Sequence, residues 1–87
     1  MKTYMKTIKM ISLSEENGVL TPLKFQMRSK EDECITVKIS NILLRNEEKL
    51  AGNKMFIYRC QSEVNGILKV FELKYEVSTC KWYLYKV

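Results

Sequence analysis

Residues 54–87, KMFIYRCQSEVNGILKVFELKYEVSTCKWYLYKV, decide the fold, because their turn chemistry and their hydrophobic alternation can be checked against each other. Asn65-Gly66 is the strongest short hairpin signal in the chain: a type I′ turn needs positive φ at both central residues, and these two types accept it. The turn sets Val64 opposite Ile67. Counting outward pairs Cys60 with Phe71, Tyr58 with Leu73 and Phe56 with Tyr75, so the large apolar residues of both strands share one face. The other face pairs Arg59 with Glu72 and Ile57 with Lys74. Register and hydrophobicity are separate arguments, and their agreement outweighs either alone. The next connection, Ser78-Thr79-Cys80-Lys81, predicts Val77 opposite Trp82 and Tyr75 opposite Leu84. The apolar face then extends onto a third strand, leaving Tyr83 and Tyr85 outward.

Toward the N-terminus, residues 4–13 and 19–28 flank a second Asn-Gly pair, Asn17-Gly18. Read the same way, it sets Met10 opposite Phe25, Ile8 opposite Met27 and Ser12 opposite Leu23. Pro22 falls across from Leu13, near the turn, where a missing N–H is tolerable on an edge. Leu23, Phe25 and Met27 alternate with Lys24, Gln26 and Arg28. SKEDE at 29–33 is a solvated loop. Residues 34–40 alternate again, with Ile35, Val37 and Ile39 inward, and the parity change at Ile42-Leu43-Leu44 predicts a bulge or bend. Two readings compete from Ser40 onward: a strand to Leu44 followed by a long connection over 45–53, with room for one helical turn, or a helix capped by Ser40 and stopped by Gly52. The strand is preferred, because β-branched residues dominate the first half and Glu47 and Glu48 would oppose the dipole at a helix C-terminus. The count is six strands: a hairpin, a bent strand and a three-stranded meander. Two or three strands with one apolar face cannot stand alone, so the expected architecture is all-β, a small, partly open six-stranded antiparallel barrel forming one domain over 1–87.

With 87 residues, 46% hydrophobic and 29% charged, the chain has the composition of one ordinary globular domain. Lys2, Lys6 and Lys9 interrupt its apolar start, and no stretch approaches a membrane span, so a cytoplasmic protein without membrane association is expected. Cys34, Cys60 and Cys80 are an odd set without C-x-x-C spacing, which predicts free thiols, Cys60 in the core, and no metal site. With no histidine and a single aspartate, Asp32, the chain lacks the commonest general base, and neither catalytic residues nor a cofactor are expected. Glu72 and Glu76 share an outward face, where Arg59 and Lys74 make a cross-strand charge network the simpler reading. Cys80 beside Lys81 offers the remaining chemical option, a thiol favoured by a neighbouring cation.

The net charge of +5 permits attraction to nucleic acid. Residues 1–30 carry six Lys/Arg against Glu15 and Glu16, residues 54–87 carry six against three Glu, and the middle is net acidic. Tyrosines interleaved with cations on a curved sheet suit stacking on single-stranded bases and contact with phosphates. The candidate nucleic-acid-binding residues are Lys54, Arg59, Lys74, Lys81, Tyr83, Tyr85 and Lys86. The alternative is a protein-interaction module or homodimer, using an open strand edge at 5–13 or 35–44 or an anchor patch of Ile57, Tyr83 and Tyr85.

EEKLAGNKMFIYRCQSEVNG at 47–66 and FELKYEVSTCKWYLYKV at 71–87 resemble a group of short proteins from low-GC Gram-positive bacteria, often in mobile-element contexts. That resemblance runs over nearly the whole chain and implies a cytoplasmic single-domain protein, without an established activity. Pro22-x-x-Phe25, the Ile/Val-rich strand with Lys38, Phe71-x-Leu73-x-Tyr75 and Trp82-Tyr83-Leu84 are similar to small β domains associated with translesion polymerases, in which 45–53 has no counterpart. This second resemblance implies DNA-related accessory work and carries over no site residues.

Overall fold

The computed structural model describes residues 1–87. Seven strands, β1 (Thr3–Ser14), β2 (Leu20–Arg28), β3 (Cys34–Lys38), β4 (Asn41–Leu50), β5 (Asn53–Val64), β6 (Ile67–Glu76) and β7 (Lys81–Lys86), form one antiparallel sheet in the order β3-β2-β1-β7-β6-β5-β4. The sheet curls into an open half-barrel, bringing the β2–β3 end back over β5. Three polar contacts fasten that closure. The Ser62 hydroxyl donates to the Lys38 carbonyl at 2.6 Å, the Ser40 N–H to the Gln61 carbonyl at 2.9 Å, and the Tyr58 hydroxyl to the Leu20 carbonyl at 2.6 Å. Ser62 and Tyr58 are fully enclosed, so these bonds also meet the requirement that buried hydroxyls be satisfied.

The inward face carries the core: Ile8, Phe25, Tyr58, Cys60, Phe71, Leu73, Trp82 and Leu84. Phe25 meets Phe71 edge-on at 5.7 Å between centroids, and Trp82 lies 5.4 Å from Tyr58 and 4.9 Å from Tyr75. All three cysteines are free, and Cys60 is buried.

The β5–β6 hairpin has the register that Asn65-Gly66 dictates, from Val64 opposite Ile67 through Cys60–Phe71, Tyr58–Leu73 and Phe56–Tyr75. Both turn residues have positive φ, 52° and 75°. In the β6–β7 pair, Trp82 faces Tyr75 and Leu84 faces Leu73, rather than Val77 and Tyr75. The loop is 77–80, one residue earlier than expected, with Cys80 in the left-handed region (φ 58°) and its N–H bonded to the Glu76 carbonyl at 2.9 Å. Moving the loop by one residue slides the register by two, so the side chains up to Leu84 keep their faces, and a bulge at Tyr85 then sets Lys86 opposite Glu72.

At the first hairpin, Met10 faces Phe25 as expected, by a different route. Asn17-Gly18 is not a two-residue turn. Only Gly18 has positive φ (86°); its N–H bonds the Glu15 carbonyl at 2.9 Å, and Asn17 Oδ1 accepts the Val19 N–H at 3.1 Å. The longer loop offsets the register by one, and a bulge in β2 restores it: Ser12 faces Pro22, and Leu23 drops out of the pairing. Leu23 is consequently exposed and Pro22 buried, the reverse of the expected alternation.

Two further expectations are corrected. β1 is interior, between β2 and β7, so 5–13 is not an edge; the edges are β3 and β4. Residues 45–53 are neither loop nor helix, because β4 runs on to Leu50 and turns back through Ala51-Gly52, whose φ values of 50° and 83° make a second two-residue turn. The strand count is therefore seven rather than six. The parity change at Ile42-Leu43-Leu44 is a bulge, located between Ile42 and Leu44 in the pairing with β5. No helix is long and apolar enough to cross a membrane.

Candidate nucleic-acid interface

Strand alternation places Arg59, Lys74, Lys81, Tyr83 and Tyr85 together on the outward face of β5–β7, with Lys86 beside Tyr85 at its rim. Lys54 lies on the inward side of the sheet, its ammonium 5.4 Å above the Phe56 ring and 3.0 Å from Glu47. Within the outward group Arg59 and Lys74 are held by carboxylates. Arg59 grips Glu72 through Nη2 at 2.9 Å and Nε at 3.0 Å. Lys74, only 7% exposed, sets its ammonium 3.0 Å from Glu48, which reaches across from β4, and 3.9 Å from the centroid of Tyr85. An ammonium withdrawn this far from water is held by its carboxylate and by the ring's negative face, and is not free to meet a phosphate. Lys86 flanks the same ring at 4.9 Å, Tyr83 donates its hydroxyl to Glu76 at 3.4 Å, and Lys81 stands opposite Glu76.

Glu76 is the hub of this end of the sheet. It accepts the Thr79 hydroxyl at 2.6 Å and the Asn53 amide at 2.8 Å, and Ser78 donates to Asn53 Oδ1 at 3.2 Å, so the loop at 77–80 is tied to the start of β5. The Thr79 hydrogen bond, followed by that of Asn53, holds the Glu76 carboxyl below its ordinary value. Tyr75, hydrogen-bonded to Cys80, is pushed up to about 12, and burial pushes the Cys60 thiol up to about 12. Glu72 and Glu76 thus act within the sheet, one in an ion pair and one in a hydrogen-bonded corner. No three Cys, Asp or Glu side chains converge in a group that could hold a metal ion.

A second outward surface lies on β1–β3. The registers align Ile11, Lys24 and Lys38 in one row, Lys9, Gln26 and Thr36 in the next, and Arg28 with Cys34 in the third. All of these side chains are exposed. Side chains directly opposite in an antiparallel pair stand about 5 Å apart at Cβ, so Lys24 and Lys38 form a close pair of like charges, with Lys9 one strand and one row away. Of the four cations only Arg28 has a carboxylate partner, Asp32 at 3.3 Å, and both members of that pair are well exposed. Lys6 closes the end of this surface, donating to the Arg28 carbonyl at 2.6 Å. Lys9, Lys24 and Lys38 were not among the candidates read from the sequence. The signals were present in the basic excess of residues 1–30 and in the outward alternation of Lys24, Gln26 and Arg28, but only the β2–β3 pairing brings Lys38 alongside. An apolar cavity of about 430 Å³, lined by Phe25, Val37, Val70, Phe71 and Leu84 among others, lies on the inward side where the curl stays open, away from this surface.

Comparison of the chain with family models, with curated proteins and with solved structures finds no match.

Proposed function

We propose that the chain is a non-enzymatic binding module of the cytoplasm that takes up nucleic acid through its backbone, weakly and with little sequence preference. The observation that carries this reading is the cluster of Lys9, Lys24 and Lys38, over two adjacent rows of an outward sheet face that offers them no carboxylate. Unpaired ammonium groups over two adjacent strand pairs match the sign of a phosphate chain, and their contribution is independent of base identity. Tyr83, beside Thr7 at the border of this surface, supplies an aromatic face near the track. The resemblance to β domains associated with translesion polymerases supports DNA-related accessory work, and the resemblance to short proteins of low-GC Gram-positive bacteria supports a mobile-element setting. The absence of histidine supports the non-enzymatic reading.

The test is fluorescence anisotropy of a labelled single-stranded oligonucleotide across a salt series. Three to four neutralised phosphates, at roughly 0.7 in slope each, lower the affinity about 20- to 50-fold between 50 and 200 mM salt. Lys9→Gln, Lys24→Gln and Lys38→Gln together flatten the dependence. No binding at low ionic strength, or binding indifferent to salt, overturns the reading.

A further inference from the structure

The two sheet edges differ in length and in how they are guarded. β3 is five residues long, whereas β4 presents ten, Asn41–Leu50, with nothing on its outer side. Long edges are usually blunted by charged side chains standing along them. On β4 three of the four charged side chains, Arg45, Glu47 and Glu48, lean back over the sheet instead. The Arg45 guanidinium sits 4.0 Å above the Phe56 ring and Nε donates to the Tyr58 hydroxyl at 3.1 Å; Glu47 reaches Lys54 and Glu48 reaches Lys74, both at 3.0 Å. Ile42, Leu43 and Leu44 remain 37%, 50% and 51% exposed. Arg45 has no carboxylate partner in its own chain.

We propose that β4 pairs antiparallel with β4 of a second copy of this chain, about a two-fold axis through Asn46. The register follows from electrostatics. Residues directly opposite in an antiparallel ladder share a face, so the axis must pass through a residue position. An axis at Arg45, Glu47 or Glu48 sets that residue against its own copy, like charge on like charge. An axis at Leu44 avoids this but leaves only residues 41–47 overlapping. At Asn46 the overlap runs over 42–50, Arg45 of each copy faces Glu47 of the other, and the two Asn46 amides meet on the axis. The unpaired guanidinium thus gains the carboxylate that its own chain does not supply, and the exposed edge groups gain partners.

Sedimentation equilibrium between about 10 μM and 1 mM reads the outcome. The expected result is a mass rising from 10.3 kDa toward twice that value. Arg45→Glu alone and Glu47→Arg alone each raise the dissociation constant at least tenfold, and the two together restore it, since the exchanged charges again oppose. Independently of those variants, Asn46→Cys with Cys34→Ser and Cys80→Ser cross-links on oxidation, and Leu44→Cys in the same background does not. A monomer at every concentration overturns the proposal and leaves this edge to a strand of another protein. A dimer without charge-swap rescue, or one cross-linked through Leu44→Cys rather than Asn46→Cys, overturns it as well.

Discussion

On the outward side of β5–β7, Arg59 is gripped by Glu72, Lys74 is drawn down onto Glu48 and Tyr85, and Lys81 faces Glu76. On the outward side of β1–β3, Lys9, Lys24 and Lys38 stand in the same alternation on the same sheet with no acid opposite them. Both regions are basic in composition. They differ in the cross-strand neighbour, and that decides whether a positive charge belongs to the fold or to the solvent. A cation already paired must give up its carboxylate before it can serve a phosphate, and the two terms largely offset. The larger expected effect on binding therefore falls on β1–β3. Lys9→Glu, Lys24→Glu and Lys38→Glu together change the net charge by six, from +5 to −1, and lower oligonucleotide affinity by about 100-fold or more, on the order of 3 kcal/mol. Arg59→Glu lowers it by less than about threefold. The reverse ranking, measured by anisotropy at one salt concentration, would break the distinction.

Stability should divide the two surfaces the other way. Removing the carboxylate from Lys74 leaves a nearly enclosed ammonium with only the Tyr85 ring for company, so Glu48→Ala costs about 2 kcal/mol in a urea titration. The figure sits below the usual range for a buried pair because Glu48 is itself partly exposed. Lys24→Ala, at an exposed site without a partner, changes stability by less than about 0.5 kcal/mol. A surface whose cations matter to binding and not to folding, beside one with the opposite sensitivities, would establish the division from two unrelated measurements.

Much of this was legible in the chain, and the exceptions have definite causes. Asn65-Gly66 announces a turn because both residue types accept positive φ, and all of β5–β6 follows from it. Ala51-Gly52 makes the same kind of turn with a residue that pays a steric cost at φ 50°, so nothing in its chemistry marks the β4–β5 hairpin. β4 was hidden with it, and so was the carboxylate that removes Lys74 from the candidate surface. The strain is testable: Ala51→Asn should raise stability by about 0.5–1 kcal/mol by urea titration, because asparagine tolerates the left-handed region that alanine resists. Leu23 went astray for another reason. A three-residue loop and a compensating bulge leave Met10 opposite Phe25, as a two-residue turn would, while reversing the side chains between them. The β1–β3 surface was half visible, since alternation turns Lys24 and Arg28 outward, whereas its join to Lys38 is a pairing between strands that no local signal encodes.

The smallest effect expected is also the one that follows pH. Glu76 titrates near 4.5 in the unfolded chain and lower in the folded one, chiefly because the Thr79 hydroxyl and then the Asn53 amide hydrogen-bond its charged form. A depressed carboxylate contributes stability that is complete above its unfolded value and is lost as pH falls through the folded value. The gap in thermal midpoint between wild type and Glu76→Gln should therefore be widest near neutrality and close on acidification below about 4.5. Thr79→Ala, by removing the largest cause, should narrow that gap at neutral pH. Lys24→Ala provides the control from the other surface: with no carboxylate opposite it, its difference from wild type should stay flat over the same range. A pH-dependent difference at Lys24 would mean that an acid answers that lysine in solution, and the surface proposed for phosphate would then be as self-satisfied as its neighbour.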